Sequence, residues 1–347
     1  MSKAIDNDCH SIYHHSRSPA PAGGPSTAHA ATRGRASHAR PPLSGTVTLP
    51  RARPSRPAVV TRIALLVGVW LLLTASTQAA ATPRIAAANW SSAETLIALG
   101  IAPYAVADIA NYRKWVRVPA IPPDTIDMGL RNQPNLELLA QRPPDLLLTS
   151  ALFVRDSARL ARLMPVEIVD NFYTGKDYFA GTCTMTRHIG QLVGREAAAE
   201  ALITRTEAQL AAAANALADS PRPVYVVQFS DAQHVRVFGA GGMVGTLFER
   251  TPLINAWQGP TNGWGFASVP ITRLAEHPEA RIVVIKPYPR NVAAELADNR
   301  VWQLLPAVRA GRVSEIEPVW TFGGLSSLSR LTHELVAALH PAAPEQP

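Results

Sequence analysis

The sequence predicts an α/β protein made of two α/β parts, and three observations carry that expectation. Between residues 84 and 172, short apolar runs alternate with stretches of helical period. Residues 222–341 repeat the alternation. Between them, residues 177–216 run without proline, with apolar side chains at helical spacing. Strands separated by helices imply parallel pairing, because a parallel neighbour needs a long crossover.

In the first part, residues 84–88 read as a short strand. Ser92-Ala93-Glu94 opens a helix over 92–99, which Gly100 ends. A second strand is expected at 105–107. Next comes Ile126-Asp127-Met128-Gly129-Leu130-Arg131, a glycine-bearing turn that sets Arg131 at the mouth of an α/β unit, where loops carry ligand contacts. Pro134 suits a first helical position, since its missing N–H would be unpaired there anyway, and a helix follows over 135–141. Strands at 145–149 and 166–169 flank a helix at 156–163.

In the middle, Ile189, Leu192, Val193, Ala197, Ala201, Leu202 and Leu210 mark two helices broken near Gly194. The first, over 177–193, is either a stiff bridge between lobes or an ordinary crossover helix within one domain. The second lobe then extends over 197–341. Its strands are expected at 224–229 and 235–238 around a turn at Asp231, and at 282–285. Helices are expected near 243–250, 271–276, 301–305 and 326–340.

The formal net charge is +7 over 347 residues, which would suit a nucleic-acid partner if it were spread over the chain. It is not. Residues 1–62 hold Lys3 and eight arginines against Asp6 and Asp8, so nine minus two gives +7. The remaining 24 basic and 24 acidic side chains cancel. A neutral body offers no electrostatic footprint for a phosphate backbone, so no nucleic-acid partner is expected.

Residues 63–73 form an apolar run preceded by Arg62 and followed by Thr77-Gln78-Ala79 and Ala79-Ala80-Ala81. That is the three-part pattern of a secretory signal over 62–81, and the run falls short of the roughly 20 residues of a membrane span. Residues 1–61, rich in Pro, Ser, Ala, Arg and His, are expected to form a disordered leader or a mis-assigned start. No methionine lies between Met1 and Met128, which favours a non-AUG start near Val47, Leu49, Val59 or Val60. Cys183 is then the lone mature cysteine, expected as buried packing, with no disulfide and no lipid anchor. A periplasmic monomer fits these features.

Catalytic motifs are incomplete. Gly239-Ala240-Gly241-Gly242 lacks the third glycine of a dinucleotide fingerprint and the lysine of a P-loop, and reads as a tight turn. Gly324-Leu325-Ser326-Ser327-Leu328 lacks the closing glycine of a nucleophile elbow, leaving Ser326 as a helix cap. The mature histidines, His188, His234, His277, His333 and His340, show no metal-ligand spacing. Trp90, Trp115, Trp257, Trp264 and Trp320 all fall in expected loops beside Asn, Gly, Pro or Tyr. Each could be a core residue; five together favour a shared apolar cleft. Arg131 adds a charge that cannot be titrated away. Such a cleft suits a ligand with a greasy body and a compact cluster of acceptors.

Several blocks in order resemble the periplasmic ferric hydroxamate-binding proteins of ABC iron importers. They are residues 98–104, 111–116, 126–139, 255–265 and 318–320, within a match spanning about 84–341. The resemblance implies two α/β lobes joined by one long bridging helix, a shallow cleft between them, and no enzymatic activity. It implies that Arg131 contacts hydroxamate oxygens and that Trp115 and Trp264 line the cleft, with Trp90, Asn262 and Trp320 as further lining positions. Iron arrives only as the siderophore chelate, and no cofactor of the protein's own is expected. Two departures stand out. Phe153 and Phe322 occupy positions where the family carries tyrosines. Ala158 and Thr272 occupy the acidic positions that dock on the inner-membrane permease and its ATPase, leaving Asp156 and Glu276 nearby as substitutes. Other chelates, a catecholate siderophore, haem or a corrinoid, remain as alternatives on the same fold, and a periplasmic hydrolase as one from another class.

Overall fold

The computed structural model describes residues 83–151, 158–170, 177–218 and 222–339. The leader and signal segment, Phe153 and Asp156 therefore lie outside the described residues.

The first sheet contains β1 (Ile85–Ala87), β2 (Ala105–Val106), β3 (Ile126–Asp127), β6 (Leu146–Thr149) and β7 (Val166–Ile168), in the order β3-β2-β1-β6-β7. Every pairing in it is parallel, as the strand–helix alternation predicts. A separate two-stranded hairpin joins β4 (Gly129–Leu130) to β5 (Gln133–Pro134). The second sheet runs β10-β9-β8-β11-β12, with β8 at Val224–Phe229, β9 at His234–Phe238, β10 at Phe266–Pro270, β11 at Arg281–Ile285 and β12 at Val313–Ile316. Here β8, β11 and β12 pair in parallel, while β9 forms antiparallel pairs on both sides. Asp231 makes the β8–β9 turn, its Oδ1 accepting from the N–H groups of Gln233 at 2.7 Å and His234 at 2.8 Å.

Period-two alternation splits each central strand between two cores. Ile85 and Ala87 face the large inner core while Ala86 faces an outer one with Met128, Leu139 and Leu147. Val224 and Val226 join the same inner core, and Tyr225 and Val227 face the other side with Trp257 and Trp302. Strands buried on both faces belong under helices. The helices Trp90–Ala98, Tyr178–Leu192, Glu196–Ala216 and Leu325–Leu339 fill the inner core.

The proline-free stretch forms two helices, Tyr178–Leu192 and Glu196–Ala216, with Gly194 between them at φ +64°. Three local expectations are corrected. Pro134 closes the β4–β5 hairpin instead of starting a helix; Asn135 caps the helix Leu136–Gln141 by accepting from Leu138 N–H at 3.0 Å. Ser326 is the second residue of the helix Leu325–Leu339, not its cap. Trp90 is the first residue of its helix and Trp115 the last of the helix Ile109–Trp115, so neither sits in a loop.

Candidate functional site

Arg131 and Asn132 form the two-residue tip of the β4–β5 hairpin. Asp127 fastens that hairpin, one carboxylate oxygen accepting from Gly129 N–H at 3.0 Å and the other from Ile109 N–H at 3.2 Å. Gly129, at φ +88°, lets the chain turn where an added Cβ would press on Asn135 N. So held, the Arg131 guanidinium lies 4.1 Å from the ring centre of Trp90 and 5.4 Å from that of Trp320. A cation shared between two indole faces gains from the quadrupole of each.

The rings continue away from the arginine. Trp90 and Trp320 meet edge to face at 4.8 Å, and Trp320 meets Phe322 at 5.0 Å. Phe322 then meets Trp264 at 5.4 Å. Edge-to-face pairs of this kind are each worth about 0.5–1.5 kcal/mol beyond the area they bury. Trp90 is only 2% exposed and donates its indole N–H to Ala107 O at 3.0 Å, so it is the floor of the cluster. Trp320, Phe322 and Trp264 are half-buried and present ring surface.

The glycine turn at 239–242 has its role here. Gly241 and Gly242 both have positive φ, and a Cβ on Gly242 would come within 2.6 Å of Trp264 O. Gly239 N–H donates to Gly265 O at 3.0 Å and Thr261 Oγ1 to Ala240 O at 2.8 Å. A phosphate cradle is not needed to explain the motif: the bare backbone lets the Trp264 loop dock.

Five of the expected residues thus converge: Arg131, Trp90, Trp320, Phe322 and Trp264. Trp115 is half-buried at its helix end, with Lys114 Nζ 5.5 Å from its ring centre. Asn262 shapes the loop, its Oδ1 accepting from Trp264 N–H at 2.9 Å and Phe266 N–H at 3.3 Å. Glu276 is exposed and paired with Arg273 at 2.5 Å. Trp257 corrects the expectation of five cleft tryptophans. It is 6% exposed in the outer core of the second sheet, and its indole N–H donates to Pro260 O at 3.4 Å.

Sequence reading missed Glu94. This carboxylate is fully buried, accepts from Ser327 Oγ at 2.6 Å and also from Gly324 N–H. Desolvation pushes its pKa up to about 7, against the opposing effect of those hydrogen bonds. An acid within the apolar face of a helix was the available signal. Cys183 is a buried free thiol, pushed up to about 11 by burial. Among the described residues, no three His, Cys, Asp or Glu side chains cluster as a metal site.

A family model described as periplasmic binding protein matches residues 85–319. The chain belongs to this periplasmic binding protein family. Its members are substrate-binding proteins, not enzymes. The iron(3+)-hydroxamate-binding protein FhuD of Escherichia coli (strain K12) is 33% identical over 286 residues, covering 82% of this chain and 96% of that protein. The Fe3+–Desferal-bound siderophore-binding protein FhuD of Vibrio cholerae superposes with a TM-score of 0.69 at 26% identity, covering 76% of this chain and all of that one. The triscatecholate siderophore-binding protein FeuA of Bacillus subtilis shares the periplasmic binding protein fold, with a TM-score of 0.59, 17% identity, and coverage of 75% and 93%.

Proposed function

We propose that this periplasmic binding protein captures a ferric hydroxamate siderophore in a cleft between two lobes, residues 84–172 and 197–341, bridged by the helix at 177–193. It then delivers the chelate to an inner-membrane ABC permease and its ATPase, working in the periplasm as a monomer. The observation that carries the reading is Arg131 held over Trp90 and Trp320 at the head of an aromatic wall. A guanidinium donates in a fixed fork to clustered anionic oxygens, as the iron-bound hydroxamate oxygens are. Indole and phenyl faces suit the aliphatic arms of the chelate. The iron is cargo, already coordinated by the siderophore, so the protein needs no ligand to the metal.

Phe322 contributes apolar surface where a tyrosine would add a donor, and Phe153 is expected to do the same. Recognition then leans on Arg131 and ring packing. One such hydroxyl hydrogen bond is worth about 0.5–1.5 kcal/mol net. Asn262 would be a lining position by virtue of the loop it holds, and Trp115, half-buried at its helix end, a further one. Docking on the permease would use Glu276 and Asp156. Replacing Arg131 with alanine tests the reading: affinity for a ferric hydroxamate should fall at least about tenfold, or 1.4 kcal/mol, with folding intact. Unchanged affinity would place the ligand elsewhere.

A further inference from the structure

Glu94 sits on the helix that begins with Trp90, yet both of its hydrogen-bond partners belong to the start of the helix Leu325–Leu339. They lie 230 and 233 positions further along the chain. A carboxylate there satisfies N–H groups that a helix leaves unpaired at its N-terminus, and does so from another element. The preceding segment, 320–324, carries Trp320 and Phe322. Tyr178 Oη, at the first residue of the next long helix, donates to Gly323 O and fixes the same segment from a second side. The paired glycines allow this approach. A Cβ at Gly323 would overlap Glu94 Oε1 and Ser327 Oγ, and one at Gly324 would lie 2.9 Å from Thr95 Oγ1.

We infer that Glu94 is a positioning residue for the ligand face, setting the Trp320–Phe322 wall in register with the Trp90 floor and the arginine above it. It reaches the ligand only through those rings. Its effect on affinity rests on the siderophore-receptor reading; its effect on the loop does not. Among the described residues, Tyr112, on the helix Ile109–Trp115, is the titratable group whose charge interacts with Glu94, and its phenol is held protonated far above neutrality. Burial is the largest influence on the Glu94 carboxyl and raises it, and the hydrogen bonds from Ser327 and Gly324 oppose that rise. Burial also raises the Asp170 carboxyl to about 6, so the comparison with Glu94→Gln is what separates the two acids near neutrality.

The test compares wild type, Glu94→Ala and the near-isosteric Glu94→Gln, first without ligand. Amide exchange at Gly324 and Ser327 and tryptophan emission are followed from pH 5.5 to 8.5, each variant against wild type at the same pH. Expected are a wild-type emission change centred near neutrality that is absent in Glu94→Gln, and faster exchange of both amides in Glu94→Ala. Gallium-loaded hydroxamate should then bind Glu94→Ala at least tenfold more weakly, with most of the loss recovered in Glu94→Gln. An unaltered titration in Glu94→Gln, or wild-type amide protection in Glu94→Ala, would overturn the inference. Failure of wild type to bind any hydroxamate would instead overturn the receptor reading, while the ligand-free measurements still decide the role of Glu94.

Discussion

The two sheets contribute opposite chemistry to one place. The chain around the all-parallel first sheet supplies the charge, Arg131, from the tip of a separate hairpin pinned by Asp127, and one buried ring as its floor. The mixed second sheet supplies half-buried rings, Trp264, Trp320 and Phe322, from loops docked by glycine turns and a buried acid. Cationic direction comes from one side and adaptable apolar area from the other. A ligand that needs both must engage both, and a change on either side should act through a different term.

The sharpest contrast lies within the second half, between Trp257 and Trp264. Trp257→Ala should cost about 3–5 kcal/mol of stability, the usual range for emptying a core aromatic site, and leave the affinity of the folded fraction unchanged. Trp264→Ala should do the reverse. Thermal unfolding and ligand titration on both variants would break the distinction if Trp257→Ala alone lost affinity.

A smaller effect concerns pH. Glu94 has a pKa near 7 when folded against 4.5 when free. The folded state therefore binds more protons between those values, and stability falls as pH rises through that window. The difference amounts to about 3 kcal/mol at most. The melting temperature of wild type should drop relative to Glu94→Gln between pH 5 and 8; parallel curves would contradict the assignment.

Phe322→Tyr sharpens the comparison from the second lobe. A phenolic donor added to the aromatic wall should tighten hydroxamate binding by about 0.5–1.5 kcal/mol, read as a lower dissociation constant. A weaker complex would mean that the ring packs too closely for a hydroxyl. Least of all should come from the ion pair of Arg117 with Glu317, which Lys286 also joins at 2.6 Å. Arg117 is exposed and its two partners are half-buried at the surface, where such pairs are worth about 0–1 kcal/mol. Arg117→Ala should barely move the melting temperature; a shift of many degrees would show that the pair holds more than its own surface.

Most of the fold was legible because periodicity survives in single elements. The apolar runs at 224–229 and 282–285 and the helical spacing through Ile189 to Leu210 each reflect burial that the strand or helix itself imposes. The strands Phe266–Pro270 and Val313–Ile316 escaped because each has exposed or half-buried residues and depends on its neighbour for definition. The site was legible as residue types, Arg131 and the tryptophans, but not as a partition. Trp257 and Trp264 look alike in sequence, and only the packing of Trp257 beneath the second sheet separates them. Glu94 carried a signal of burial, an acid in an apolar helix face, but not of its role, because its partners, Gly324 and Ser327, lie at the far end of the chain.

Under the proposed function the arginine and the rings form one hydroxamate-binding face, and intrinsic tryptophan fluorescence reads that face directly. The purified protein would be titrated with gallium- and iron-loaded ferrichrome-type, ferrioxamine-type and catecholate chelates, gallium removing the optical absorption of iron. Saturable quenching by the hydroxamates, lost in Arg131→Ala and absent with catecholates, is the predicted result. A folded protein whose emission ignores every hydroxamate would rule out hydroxamate binding at this face.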